Sequence, residues 1–341
     1  MRKSIVAGAA LSLLAIHGVD AQSGVNSCPA GGTIAGFPDP TRASQDACQM
    51  AVDVFQVMAP QLGLALAGGN ATLGRGSALG GPGHFSIGVR GNVFNGDLPQ
   101  VQDFPSPSTG GRQARALPAK GQILGLPTAD AAIGIFGGVP LALSNVGGID
   151  LLLSATYVPS YGDASSDVQV KPKQNWQVGY GVRIGLLQES LIVPGVSFTY
   201  LKRDLPKTSI FGTSSNIDVN ITDASVKTSA YRIVASKSLL LFGVAAGVGQ
   251  DKYDETANVQ ATARATINGI PGSFTSAIVP LSQNLTRTNY FLDLSFNLPV
   301  FKIIGEVGQV SGGTVDTYNT FSTGRADKSR TYGSLGIRLG I

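Results

Sequence analysis

The sequence has few charged residues and little of the chemistry that enzymes or metal sites use. Only 13% of its residues are charged, about half the usual share of a soluble domain. The net charge of +4 is small and scattered, which argues against nucleic acid as a partner. Of two histidines, only His84 lies outside the apolar N-terminal stretch. A single histidine leaves no cluster of metal ligands, and no cofactor is expected.

A catalytic residue set is also missing. A hydrolase site on a barrel wall needs a serine with a histidine and a carboxylate or amide. His84 and Ser86 share a strand face, but neither lies within a catalytic signature. We therefore expect a protein that is not an enzyme.

The N-terminus has the composition of an export signal. Arg2 and Lys3 precede an apolar run, Ile5 to Ile16, and small residues follow as far as Ala21. This arrangement predicts a secretory signal peptide over residues 1–21, removed after Ala21. Beyond it no run of about 18 apolar residues occurs, although the mean hydropathy is +0.17. High hydropathy without a helical span indicates either a very apolar soluble core or a β-barrel with apolar residues at every second position.

The segment 22–82 differs from the rest of the chain. Its two cysteines, Cys28 and Cys48, predict a disulfide in an oxidising compartment. Ser44 is a candidate helix cap, and Pro60 is expected to end the helix. The apolar positions at helical spacing are Ala47, Met50, Ala51, Val54, Phe55 and Met58. A glycine-rich stretch follows. This N-terminal piece is expected either at the periplasmic mouth of a barrel or inside its lumen as a plug.

From His84 onward the hydrophobic period changes from helical to two. Between Gln174 and Leu187 every second residue is apolar, and the residues between them are polar or glycine. Such alternation marks a strand whose two faces meet different solvents. The apolar set is Trp176, Val178, Tyr180, Val182, Ile184 and Leu186.

The connections between these segments alternate in length. Short ones lie near 139–147, 188–190, 237–239 and 298–300, and long polar ones at 95–127, 159–173, 204–224, 253–284 and 313–328. Short periplasmic turns and long outer loops are typical of outer-membrane barrels. We therefore predict that residues 83–341 form an all-β antiparallel transmembrane β-barrel of about ten strands, with both of its termini on the periplasmic side. The count is twelve if 257–270 and 273–281 also span, and at most 14.

The C-terminal strand ends on an apolar residue. Ser334, Gly336, Leu339 and Ile341 resemble the C-terminal signal by which outer-membrane barrels are recognised for assembly. The resemblance implies the bacterial outer membrane as the location. It also implies outer-membrane lipid and the barrel-assembly machinery as partners.

The inward face of the predicted barrel carries charges of both signs. Two interpretations stay open: a salt-bridged interior, or a selectivity ring whose excess arginine favours anionic solutes. The lumen-lining candidates are Arg90, Asp150, Arg183, Arg232, Arg287, Asp293, Lys302, Glu306, Arg330 and Arg338.

The start of the predicted barrel resembles a transporter family. Gly69 to Leu73, Gly80-Gly81 and His84 to Gly88 are similar to the end of the N-terminal hatch and the first strand of long-chain fatty acid (FadL-type) transporters. The resemblance implies uptake of hydrophobic molecules, with residues 22–82 as the hatch. The helix face of Val54, Phe55 and Met58 would then line a ligand pocket, or else pack against the barrel rim.

Two functions are compatible with these features. The first is an outer-membrane channel or transporter for small or hydrophobic solutes. The second is a structural or adhesive surface barrel, whose outer loops 204–224 and 253–284 bind an external partner.

Overall fold

The computed structural model describes residues 27–29, 40–141, 144–163, 165–267, 269–325 and 327–340. The predicted signal peptide, residues 1–21, and Ile341 lie outside the described residues. The described part contains one long helix, α1, one short 3-10 helix at Val101–Asp103, and 17 strands.

The strands are numbered in chain order. They are β1 Phe85–Pro99, β2 Ala116–Leu117, β3 Ala119–Phe136, β4 Val139–Leu141, β5 Ser144–Val146, β6 Gly148–Tyr157, β7 Val168–Pro172, β8 Trp176–Leu187, β9 Gly195–Asp204, β10 Thr208–Thr213, β11 Ile217–Leu239, β12 Phe242–Ile267, β13 Ile270–Thr275, β14 Val279–Asn297, β15 Phe301–Val310, β16 Thr320–Phe321 and β17 Arg330–Gly340. The helix α1 is Pro40–Ala67.

One antiparallel sheet closes on itself into a barrel. Its circuit runs β1–β3–β6–β8–β9–β11–β12–β14–β15–β17 and returns to β1. The strands β7, β10 and β13 extend the same sheet, so that the sheet has 13 strands among the described residues. The expected count of about ten was therefore wrong for the sheet.

Much of the excess comes from segments whose sequence predicts polar loops. Residues 217–224 and 253–267 belong to β11 and β12, and β10 and β13 pair with those same regions. Ile217, Val219 and Ile221 alternate there with polar residues and point inward. Because the outer face of this region is polar, its composition is that of a loop although its backbone forms strands.

The lipid-facing and inner faces of the wall differ in polarity. Along β8, Trp176 and Val178 are 56% and 64% exposed on the outside, whereas Arg183 is 1% exposed on the inside. The same alternation holds in β17, where Leu335 is 68% exposed and Ser334 is buried. Glycines allow close packing inside the wall: a Cβ added at Gly308 would lie 2.2 Å from the Tyr332 ring. The barrel thus has an apolar exterior and a polar, densely filled interior.

The helix α1 lies inside this barrel. By length and composition it could cross a membrane, but 89% of the apolar 18-residue stretch that would do so is buried within the protein. It continues through Pro60 to Ala67, contrary to the expectation that Pro60 ends it. Proline removes one backbone hydrogen bond, and here that loss is outweighed because Ala59, Leu64 and Leu66 on either side are fully buried.

The helix begins at the end of the barrel that carries the long connections, here called the loop end. Asp46 accepts hydrogen bonds from the backbone of Ser108 and Gln113, in the β1–β3 connection. The opposite end, with the short connections, is here called the turn end. The described N-terminal end of α1 therefore lies at the loop end. The two ends of the barrel itself, the start of β1 and the end of β17, lie together at the turn end, as an even strand count predicts; the periplasmic location of that end stays a prediction.

The helix packs against the inner wall near the loop end. Val54 and Phe55 are buried in one cluster with Ile217, Val219 and Val259 of β11 and β12. An apolar helix face inside a barrel needs an apolar wall, and the inward side chains of these long strands supply it. The face that the sequence assigned to a pocket or to the rim is therefore packed within the lumen.

Candidate functional site: the plug segment and its contacts with the wall

After α1 the chain crosses the rest of the lumen as an irregular stretch, Gly68–Gly83, here called the plug segment. Gly68 and Gly74 have φ values of +57° and +67°, which favour glycine. A Cβ added at Gly69 would lie 2.3 Å from a carboxylate oxygen of Glu306. At these three positions the path of the plug segment requires glycine.

Arginines of the wall bind the C-terminal end of α1. Arg203 donates a hydrogen bond to the Ala67 carbonyl (2.9 Å), and Arg232 donates to those of Gly68 (3.0 Å) and Gly69 (3.2 Å). The last carbonyls of a helix lack intrahelical partners and carry partial negative charge. No basic residue lies in the last turn of α1 itself, so the barrel supplies the cations.

Aspartates of the wall compensate these arginines. Arg232 pairs with Asp251 (2.5 Å), and Asp130 pairs with both Arg203 (2.9 Å) and Arg90 (3.0 Å). The three arginines are each at most 4% exposed. Buried charges are tolerated when they are paired and hydrogen-bonded, so these pairs fix the arginines in place.

Two carboxylates bind the first half of the plug segment. Asp293 accepts hydrogen bonds from the Asn70 side-chain amide and the Gly74 N–H, both at 2.7 Å. Glu306, its cross-strand neighbour, accepts one from the Asn70 N–H (2.7 Å). Arg90 donates to the Asn70 carbonyl (2.7 Å). Asn70 is therefore bound to the wall through its side chain and both backbone groups.

The second half of the plug segment is bound toward the turn end. Asp150 accepts the Leu79 N–H (3.1 Å) and pairs with Arg183 (2.8 Å). Arg338 donates to the Leu73 carbonyl. Within the described residues, six of the ten lumen-lining candidates contact the plug segment directly: Arg90, Asp150, Arg232, Asp293, Glu306 and Arg338.

The other candidates have different environments. Arg183 forms an ion pair with Asp150, which in turn binds the plug segment at Leu79. Arg287 donates to the carbonyls of Ser311 and Lys328 in the β15–β17 connection. Arg330 pairs with Asp97 (2.7 Å), and Lys302 lies at the turn end, where it lines a cavity.

Sequence reasoning missed three residues that contact the plug or its arginines. Arg203, Asp130 and Asp251 were not among the candidates, although they are central to the ion pairs. Arg203 points inward because burial alternates strictly along β9, so the alternation of the sequence could have identified it. Asp130 lies in a part of β3 where alanines at 129, 131 and 132 weaken the alternation of the sequence, and Asp251 lies next to a segment that the sequence predicted to be a loop.

At the loop end, acidic residues of α1 bind the long connections. Asp53 accepts hydrogen bonds from Tyr318 N (3.1 Å), Asn319 N (2.8 Å) and the Asn319 amide (2.7 Å). Burial raises the pKa of Asp53 to about 6, against the effect of these donors. Burial likewise raises the pKa of Asp46, which pairs with Arg115 at 2.5 Å. The helix and the connections therefore close this end together.

Covalent and terminal features complete the site. Cys28 and Cys48 form a disulfide that joins the chain before α1 to the helix. In the predicted assembly signal, Ser334 donates hydrogen bonds to Asn92 and Glu306, Gly336 faces inward, and Leu339 is exposed on the outside. Recognition of these residues by the assembly machinery stays a prediction.

A closed antiparallel barrel with an apolar exterior and a polar, plugged interior is the architecture of transmembrane β-barrels. The protein is an outer-membrane β-barrel of this class, and in such barrels the long connections lie on the outside. Within the described residues the lumen is filled by α1 and the plug segment, and its arginines are bound to aspartates and carbonyls.

Comparisons with known proteins give only remote similarities, all of them to solved structures. No protein-family model and no curated protein matches the sequence. The solved structure of the toluene transporter TodX from Pseudomonas putida is 10% identical and has a TM-score of 0.31, covering 80% of this chain and 74% of that one. The transport unit of the autotransporter AIDA-I from Escherichia coli is 9% identical with a TM-score of 0.34, covering 87% and 99%. The translocator domain of NalP from Neisseria meningitidis is 9% identical with a TM-score of 0.29, covering 75% and 87%. At these scores the similarities carry no argument about function.

Proposed function

We propose that the protein is a gated outer-membrane transporter for a small hydrophobic solute, with the plug segment as its gate. The observation that carries the proposal is the way in which the plug segment is bound. Its contacts with the wall are mostly hydrogen bonds between backbone groups of the plug segment and charged side chains of the wall, as at Asn70 and Leu79. Such bonds are exchanged with water at modest net cost, whereas the apolar packing of α1 is not.

The two parts of the filled lumen therefore have different roles. The helix α1 is held by an apolar cluster that includes Val54 and Phe55, and by the hydrogen bonds that Asp46 and Asp53 accept from the long connections. The plug segment has fewer apolar contacts; Leu79 and Ala71 belong to a cluster of only five residues. Local opening of a protein involves its least packed segments. A path for solute would open beside the plug segment while α1 stays in place.

The nature of the solute follows from what the gate opens onto. The wall behind the plug segment carries the inward apolar side chains of Ala132, Leu152 and Leu201, which form one cluster with Ala71 and Leu79 of the plug segment. Small apolar molecules would meet these wall residues as the plug segment yields, while α1 stays in place. The fixed arginines are paired with aspartates, which does not favour free anions as the main solute.

A cross-link between the plug segment and the wall tests this proposal. A Cβ added at Gly148 would lie 2.9 Å from that of Ala78, so cysteines there need a shift of roughly 0.6 Å to form a disulfide. We expect Ala78→Cys/Gly148→Cys protein in liposomes to take up small hydrocarbons only after reduction. The Ala78→Cys single variant and the unmodified protein, treated with the same reductant, are the controls. Equal uptake by the oxidised double variant and the controls would reject the plug segment as the gate.

A surface role is the second candidate, and the orientation of α1 favours it. The helix begins at the loop end, and β7, β10 and β13 extend the sheet at that same end. The barrel therefore presents a built surface to the outside. Replacing β13, Ile270–Thr275, by a two-residue turn should abolish adhesion of whole cells to an external partner. Unchanged adhesion would contradict this role for β13.

A further inference from the structure

A cavity of about 360 Å³ opens between the plug segment and the wall at the turn end. Four cations line it, Arg75, Lys237, Lys302 and Arg338, together with one carboxylate, Glu189. A narrower cavity of about 90 Å³ shares Arg75, Lys302 and Arg338. The cavity therefore carries a local excess of about three positive charges, if each group has its usual charge at neutral pH.

Glu189 offsets only one of these four positive charges and forms no ion pair with any of them. Its two carboxylate oxygens accept hydrogen bonds from the Ser238 N–H (2.5 Å) and the Ser236 hydroxyl (3.2 Å). Within the described part of the chain, Arg75, Lys302 and Arg338 have no carboxylate within 4.0 Å. Most of the arginines deeper in the lumen, in contrast, are each paired with an aspartate.

The register of the wall brings two of these cations together. Lys302 on β15 and Arg338 on β17 are direct cross-strand partners on the inner face. Like charges at such positions destabilise a sheet unless a counter-charge is present. Arg338 is 6% exposed, and neither hydrogen bond nor ion pair engages Lys302 among the described residues.

The two arginines at the cavity, Arg75 and Arg338, are held in fixed positions. Arg75 donates hydrogen bonds to the carbonyls of Ser77 (3.3 Å) and Ala78 (3.0 Å). Arg338 donates to the Leu73 carbonyl, which leaves further guanidinium N–H groups for a ligand. Donors that are already oriented lose little entropy on binding, so an anion would find a prepared site.

We propose that this cavity binds a phosphate group. Phosphate carries between one and two negative charges near neutral pH and offers several acceptor oxygens, which suits two guanidinium groups and an ammonium better than a single carboxylate does. Two sources supply this chemistry: a soluble phosphate, or the headgroup of an inner-leaflet phospholipid. Leu191 and Val300, 93% and 74% exposed, lie at the rim of these cavities and would contact the lipid chains.

Titration with inorganic phosphate in an uncharged detergent, followed by calorimetry, tests the site. Lys302→Gln should raise the Kd about fivefold or more, and Lys302→Glu should raise it further, because each removes or reverses a charge close to the ligand. Lys302→Arg keeps the charge and should stay within about twofold. Lys120→Gln, an exposed lysine at the loop end of β3, is the matched control.

Native mass spectrometry distinguishes the two sources of phosphate. Phosphatidylglycerol retained by the unmodified protein and lost in Lys302→Gln, without retention of phosphatidylcholine by either, would indicate an anionic headgroup. If Lys302→Gln weakens the binding of inorganic phosphate and neither protein retains phosphatidylglycerol, the ligand is a soluble phosphate. The proposal is overturned if neither ligand binds, or if Lys302→Gln binds both as well as the unmodified protein does. Heat-modifiable migration on gels checks that each variant folds. None of these outcomes depends on whether the plug segment is a gate for solute transport.

Discussion

The substitution Asp53→Ala removes the main contact between α1 and the connection that joins β15 to β17. Asp53 is fully buried and accepts hydrogen bonds from Tyr318 N, Asn319 N and the Asn319 side-chain amide. Alanine leaves these three donors without an acceptor, and Asn319 is itself fully buried. Each unsatisfied buried donor costs about 1–3 kcal/mol.

Taking the lower limit for each donor, because water can enter at the loop end, gives a loss of about 3 kcal/mol. A change of this size raises the population of the opened connection about 100-fold. The connection contains Arg325 and Lys328, which are trypsin sites, and the Arg325 side chain is 63% exposed. Cleavage there requires local opening, so the rate of cleavage follows the free energy of opening.

Trypsin added to intact cells measures this rate, with the C-terminal fragment quantified by mass spectrometry. We expect Asp53→Ala to be cut about 100-fold faster than the unmodified protein. Asp103→Ala, an exposed acid in the β1–β3 connection, is the control and should be cut at the unmodified rate. Equal cleavage of the two variants would refute the role of Asp53 in closing the loop end.

Further predictions concern packing, the disulfide and pH. Gly308→Ala should lower the free energy of unfolding by about 1–3 kcal/mol, because the added methyl group overlaps the Tyr332 ring. It should also lower the temperature at which the folded band on a detergent gel is replaced by the unfolded one. Gly305→Ala, where an added Cβ has no neighbour within 4 Å, should change neither. Replacing Cys28 and Cys48, 20 residues apart, by serine should lower the free energy of unfolding by about 3 kcal/mol in denaturant titrations. Because burial raises the pKa of Asp53 from 3.8 to about 6, the folded state favours the protonated carboxyl. This pH-dependent part of its stabilisation is complete below about pH 4 and is lost as pH rises through 6, where the carboxylate still accepts its three hydrogen bonds. The melting temperature should therefore fall between about pH 4 and 6, and Asp53→Asn should flatten that fall.

The wall of the barrel could be predicted from the sequence where its two faces meet different solvents. The alternation at Trp176 and Val178 against Arg183 corresponds to lipid outside and a polar lumen inside. The same rule failed where β11 and β12 extend toward the loop end. Their outer residues face a polar environment there, so composition indicated a loop while Ile217 and Val219 formed an inner apolar face.

The site was less predictable because its partners are distant in sequence. Arg232 binds the carbonyls of Gly68 and Gly69 across more than 160 residues, and no local pattern contains that pairing. The direction of α1 was likewise hidden, since an amphipathic helix fits a lumen from either end. What decides the direction is Asp46 and Asp53, which find backbone donors only in the long connections.

We expect the N-terminal end of α1 to lie at the outer face of the membrane, from which the helix enters and fills the lumen. Labelling of intact cells with a maleimide too large to cross the outer membrane tests this directly, using Arg42→Cys, near the start of α1, and Leu191→Cys, 93% exposed at the turn end. Arg42→Cys should be labelled on intact cells, and Leu191→Cys only after the outer membrane is permeabilised. Labelling of Leu191→Cys on intact cells, with Arg42→Cys protected, would contradict it.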